Sequence, residues 1–167
     1  GDEELKEKSA NGFTLLHDML HLTEEVYEGP EGERNSTFKA ILAVFWQRVI
    51  GNKELVDYFI TEENKDGFTP LHSALINGNS ENFEIYMKAV SALPDEVKQW
   101  LLASPNNEGF TPLHQALKDG SPKNFEIYMK AVSDLPDKMK NKLLAGRTTD
   151  GFTPLHSALI NGNPENF

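Results

Sequence analysis

Five histidines are the residues best suited to chemistry in this chain. His17 and His21 stand four apart, a spacing at which two imidazoles on one helix face can chelate a metal ion. His17, His72, His114 and His156 each close a recurring heptapeptide. It reads NGFTLLH from Asn11, DGFTPLH from Asp66, EGFTPLH from Glu108 and DGFTPLH from Asp150, the last three at 42-residue steps. Equivalent atoms of stacked units lie about 10 Å apart, a helix-packing distance, whereas a zinc–nitrogen bond is about 2 Å. The four recurring histidines therefore cannot share one ion. His17 and His21 would need a third ligand from Glu24, Glu25 or farther away, and no fuller metal motif accompanies them. The expectation is no metal site and no cofactor.

Other chemistry is equally sparse. Cysteine is absent, which removes disulfides, thiolate ligands and cysteine nucleophiles together. The serines recur at capping or helix-surface places, the carboxylates are dispersed, and DGFTP is no phosphate-cradling loop. Its glycine suits a turn with positive φ, and Asp66 and Asp150 are placed to bond the turn backbone. No nucleophile, base and orienting group can be assembled, so the segment is expected not to be an enzyme. The net charge is −10, with 26 acidic against 16 basic residues, which opposes nucleic-acid binding. The longest apolar run, AILAVFWQRVI from residue 40, falls short of the roughly 20 residues that span a bilayer. The amino terminus, GDEELKEKSA, lacks the apolar core of a signal peptide.

The elements that hold these residues are helices. Thr69 is a good N-cap and Pro70 fits the first helical position. Leu71, Ala74 and Leu75 then form one apolar stripe, and Gly78 is placed to end the helix in a left-handed conformation. A second helix follows, with Phe83, Tyr86, Met87 and Val90 on one face; its counterpart carries Phe125, Tyr128, Met129 and Val132. Pro94, Asp95 and Glu96 open a third helix with the stripe Val97, Trp100, Leu101, answered by Met139, Lys142 and Leu143. The expected spans are about 70–77, 81–92 and 94–103.

The repeat is close. Residues 66–107 and 108–149 align without a gap and match at 26 of 42 positions, and 150–167 match 66–83 at 17 of 18. The first unit is longer. Its surplus lies partly in the loop GPEGERNS, and its second helix, TFKAILAVFWQRVIG, is apolar on more than one side. Phe38, Ile41, Leu42, Phe45 and Val49 form one stripe, with Val44 and Trp46 off it. Residues 16–27 are expected to cover the surplus through Leu16, Met19, Leu20 and Val26. The whole chain reads as one repeat domain, 1–167, with units 11–65, 66–107, 108–149 and a partial 150–167. Because that last unit stops at Phe167, where its second helix should begin, the natural protein is expected to continue.

GFTPLHSA at Gly67 and Gly151 and GFTPLHQA at Gly109 resemble the G-x-T-P-L-H-x-A signature of ankyrin repeats. The usual period of that family is about 33 residues; here ALPDEVKQWLLASPNN stands where its GADVNA-like run would be. The resemblance implies an all-α helical solenoid, with about three helices per unit once the added one is counted. It implies a structural histidine, bonded around the Thr-Pro-Leu-His turn. It also implies protein binding through the first helices and the turns before them. The places that differ between units on the first helix are Ser73/Gln115/Ser157, Ile76/Lys118/Ile160 and Asn77/Asp119/Asn161. The turns add Lys65, Asn106, Asn107, Glu108, Thr148 and Thr149. Trp100, replaced by Tyr58 and Lys142 in the other units, stands either as an interface anchor or as a cover over the stripe below it.

A monomeric scaffold for a protein partner is the expected function, without nucleic acid or membrane. The alternative is the ankyrin-like region of a larger enzyme or of an effector that intracellular bacteria deliver into host cells. The expected location is the cytoplasm, or the host cytoplasm for a delivered protein.

Overall fold

Each Thr-Pro-Leu-His run does start a helix. The computed structural model describes residues 6–21, 44–45, 47–49, 52–77 and 79–161, with the side chains of residues 21, 77 and 161 left aside. Its helices are α1 Leu15–His21, α2 Lys53–Thr61, α3 Pro70–Asn77, α4 Ser80–Ser91, α5 Asp95–Ala103, α6 Pro112–Lys118, α7 Pro122–Ser133, α8 Asp137–Ala145 and α9 Pro154–Asn161. Residues 44–45 and 47–49 are also helical. Among the described residues there is no strand, only an isolated bridge between Lys8 and Thr14. The class is all-α, and the three helices of the second unit lie within one residue of their expected spans.

Local chemistry sets the helix ends. Thr111 accepts the backbone N–H of His114, and the His114 side chain reaches back to the Thr111 N–H, closing a capping box. Asn79 caps α4 and Ser121 caps α7 through side-chain oxygens. Pro94 and Pro136 sit at the caps of α5 and α8, with Asp95 and Asp137 beginning those helices. Gly120, the counterpart of Gly78 in the next unit, does not have positive φ. A Cβ there would lie 2.4 Å from the Ala116 carbonyl oxygen, so close backbone approach is the reason for glycine. Gly78 lies outside the described residues.

The units stack by repeating the same contacts. First helices pack in a row, α1 on α3, α3 on α6 and α6 on α9, while α4 packs on α7 and α5 on α8. Phe83, Tyr86 and Val90 of α4 are buried, as are Tyr128 and Val132 of α7. Tyr86 donates its hydroxyl hydrogen bond to the Ile60 carbonyl at 3.3 Å, and Tyr128 donates to Leu102 at 2.8 Å. Both carbonyls lie near the C-terminal end of the preceding unit's third helix. Burial raises both phenols, which therefore remain donors. Asn82 Nδ2 donates to Met19 O and Asn124 Nδ2 to Ala74 O, each at 3.3 Å, which ties a second helix to the previous first helix.

In the first unit, Leu16, Met19 and Leu20 join Phe45 and Val49 in the core, and Val44 is exposed. These residues thus share a core with the stripe itself, and Val44, which lies off the stripe and was expected to be covered, is not. Val26, Trp46 and the 29–36 loop lie outside the described residues. Residues 6–8 lie against α2: Tyr58 donates to the Lys6 carbonyl at 2.8 Å, and Lys6 pairs with Glu54 at 2.9 Å.

Candidate partner-binding face

Three of the recurring histidines, His17, His72 and His114, are committed to the stack. In His72, Nδ1 lies 3.2 Å from the Thr69 amide, which donates to it, and 2.9 Å from Thr69 Oγ1. A nitrogen that accepts an N–H carries no proton, so the proton sits on Nε2. Nε2 then donates to the Phe110 carbonyl of the next unit at 3.0 Å. His17 repeats this with Thr14 and Phe68, and His114 with Thr111 and Phe152. Burial lowers His72 from 6.5 to about 4, only partly offset by the bond to Phe110, with His17 and His114 lowering it further. Burial lowers His114 as well. With both ring nitrogens of His17 engaged, its pairing with His21 as a chelate would have to break an inter-unit bond. Among the described residues, no three His, Cys, Asp or Glu side chains are grouped to hold a metal ion.

The turn before each first helix is built by a residue three places ahead of its glycine. Asn64 Oδ1 accepts from the Asp66 and Phe68 amides, both at 2.9 Å, and Asn106 Oδ1 does the same for Glu108 and Phe110. Ser9 and Thr148 hold this place with hydroxyls that accept from Phe13 and Phe152, each at 3.1 Å. The turn bond assigned to Asp66 and Asp150 is thus made by another residue. The signal was present in the sequence: Ser9, Asn64, Asn106 and Thr148 all carry a side-chain oxygen. Gly67 and Gly109 have φ near +80°. A Cβ on Gly109 would stand 2.8 Å from Thr148 Cα in the next turn. Successive turns are joined by backbone bonds, from Lys65 N to Asn11 O, Asn107 N to Asp66 O and Thr149 N to Glu108 O, at 3.1, 3.0 and 2.8 Å.

The expected contact residues divide. Ser73, Gln115 and Ser157 are buried, so the expectation that this column faces solvent is corrected. The reason is visible in α9, which among the described helices has a first-helix neighbour on one side only. There Ser157 and Ala158 stay buried while Leu155 and Leu159 are 62% and 70% exposed. The Ser157 column therefore faces inward and toward the preceding unit. Asn106 and Thr148 are buried too, because their side chains hold the turn from inside.

At the surface stand Lys65, Asp66, Asn107, Glu108, Thr149 and Asp150 on the turns, and Asp119 and Ile160 at the ends of first helices. Ile76 and Lys118 are half-buried. Lys118 Nζ lies 5.6 Å from the centre of the half-buried Phe110 ring, so the end of α6 and its turn share a face. The side chains of Asn77 and Asn161 lie outside the described residues. Trp100 is 41% exposed on α5.

Stacked helical units with capped Thr-Pro-Leu-His turns define a helical repeat array. The profile described as "Ankyrin repeats (3 copies)" matches residues 40–137, more than half of the chain. The chain belongs to the ankyrin repeat family, whose arrays are in general protein–protein interaction modules. A comparison with curated proteins gave no match. No described helix is long and apolar enough to cross a membrane.

Proposed function

We propose that the chain is a scaffold that binds a protein partner along its row of turns and the adjoining ends of its first helices. One observation carries this reading. The turn row is fixed by backbone bonds, while its exposed side chains differ from unit to unit as Lys65/Asn107/Thr149, and Ile76/Lys118/Ile160 differ at the helix ends. Rigid spacing with variable side chains suits recognition by surface rather than by a pocket. The same reading makes the segment non-catalytic, since three of its recurrent histidines, His17, His72 and His114, are engaged in holding adjacent units together.

The test is quantitative affinity capture with the parent chain and with Phe110→Ser/Glu108→Lys, both first shown to have equal helicity. Partners captured by the parent should be lost from the variant and kept by Lys138→Ala on α8. An unchanged capture profile in the turn variant would remove the face from consideration.

A further inference from the structure

The third helices carry a site that the chain itself fills once. On α2, Glu54 and Tyr58 are four residues apart. Lys6 pairs with Glu54 at 2.9 Å, and the ammonium groups of Lys6 and Lys8 each lie 5.8 Å from the centre of the Tyr58 ring. The Tyr58 hydroxyl donates to the Lys6 carbonyl, and Lys8 pairs with Glu62. A Lys-Glu-Lys segment thus lies over an aromatic ring with a carboxylate one helical turn away. Charge on a ring face and an ion pair act together there.

One unit later the same spacing recurs as Glu96 and Trp100 on α5, and both side chains are exposed. Neither has an ion pair or a ring contact among the described residues. The repeat register sets Ser9 against Asn64, and so sets Thr61, Glu62 and Glu63 against Lys6, Glu7 and Lys8. Where the first unit supplies the ammonium groups of Lys6 and Lys8, the second supplies the Thr61 hydroxyl and the Glu63 carboxylate. Tryptophan binds cations on its face better than tyrosine does, and its indole N–H is a donor like the phenol. In the third unit the pair becomes Lys138 and Lys142, which reverses the charge and ends the pattern.

We infer that Glu96 and Trp100 form a docking site for a lysine or arginine side chain of an extended basic segment in a partner protein. The inference takes only the protein nature of the partner from the scaffold reading; its surface is a different one.

The probe is Ac-(Gly-Arg)4-NH2 with Ac-(Gly-Glu)4-NH2 as the control, titrated into the full chain. Binding is followed by the indole and backbone amide resonances of residues 95–104. The arginine peptide should shift Trp100 and its helix, and the glutamate peptide should not. Trp100→Lys and Glu96→Lys should each weaken binding about fivefold. Both place lysine where the third unit already has it, so folding is expected to persist. Conversely, Lys138→Glu/Lys142→Trp should create a second site on α8. Equal response to both peptides, shifts confined to other helices, no binding at all, or an unchanged affinity in Trp100→Lys would each overturn the inference. The turn-face capture experiment is scored on different residues, so the two readings fail separately.

Discussion

Acid should loosen the stack through its buried histidines, and His72 sets the size of the effect. Its folded-state value lies near 4 against 6.5 in the unfolded chain. Between those values the unfolded chain binds a proton that the folded one refuses, so stability falls as pH falls. The contribution is complete above pH 6.5 and is lost on the way down to about pH 4. A gap of about 2.5 units, at about 1.4 kcal/mol per unit, amounts to about 3 kcal/mol. The structural cause is specific. A second proton would sit on Nδ1, where the Thr69 amide already donates, and its charge would be buried between His17 and His114.

The assay is urea unfolding of the parent and of His72→Gln at half-unit steps from pH 7.5 to 4. Carboxylates titrate in both proteins, so the difference between them isolates the histidine. At pH 7.5 the parent should be the more stable, because glutamine loses the cap to Thr69 and the bond to Phe110. Toward pH 4 that advantage should shrink by about 3 kcal/mol. A difference that stays constant across the range would refute the buried neutral histidine. So would an imidazole resonance of His72 that titrates near 6.5.

Four further outcomes follow from named contacts. Thr111→Ala removes the acceptor for the His114 amide and should cost about 1 kcal/mol in chemical unfolding. Gly109→Ala should destabilise more than Gly151→Ala: both have positive φ, but only the first would press a Cβ into the next turn, and paired melts read the difference. Tyr128→Phe leaves the buried Leu102 carbonyl without its donor and should cost about 1–3 kcal/mol, measured by urea midpoint. Leu20→Asp places a charge in the first-unit core beside Phe45 and Val49, and should speed amide exchange at 44–49; unchanged exchange would show that α1 is not the cover.

Much of the fold was legible because the chain is punctuated by strong local signals. Thr before Pro, Asn79 and Ser121 before their helices, and Pro94 and Pro136 before the third helices fix helix starts by chemistry that needs no tertiary context. The structural histidine was legible only through resemblance, since the role depends on a carbonyl 38 residues away. Burial of the Ser73 column was not legible. Ser, Gln and Ser at equivalent places look like a tolerant surface, and only the direction in which neighbouring first helices pack reveals otherwise. Trp100 was read more securely, because Lys142 in the same column cannot be deep core.

The pattern of variation between units has a physical basis in how each position is held. Tyr86 and Tyr128, and Asn82 and Asn124, bond across units with their side chains, and each pair is identical. The turns are joined through backbone amides and carbonyls, so Lys65, Asn107 and Thr149 occupy one place without disturbing the bond made there. Asn64, Asn106 and Thr148 lie between these cases: a side-chain oxygen is required, but either an amide or a hydroxyl supplies it. Positions vary where no side-chain bond is repeated in every unit, whether or not they are exposed, and Gln115 can differ from Ser73 while both are buried. The columns that are variable and exposed, and that are joined through the backbone in every unit, are those of the turn row, where Asn107 alone adds a side-chain bond, from Nδ2 to the Lys65 carbonyl at 2.9 Å. That is where substitutions can change what the array recognises without changing how it stands.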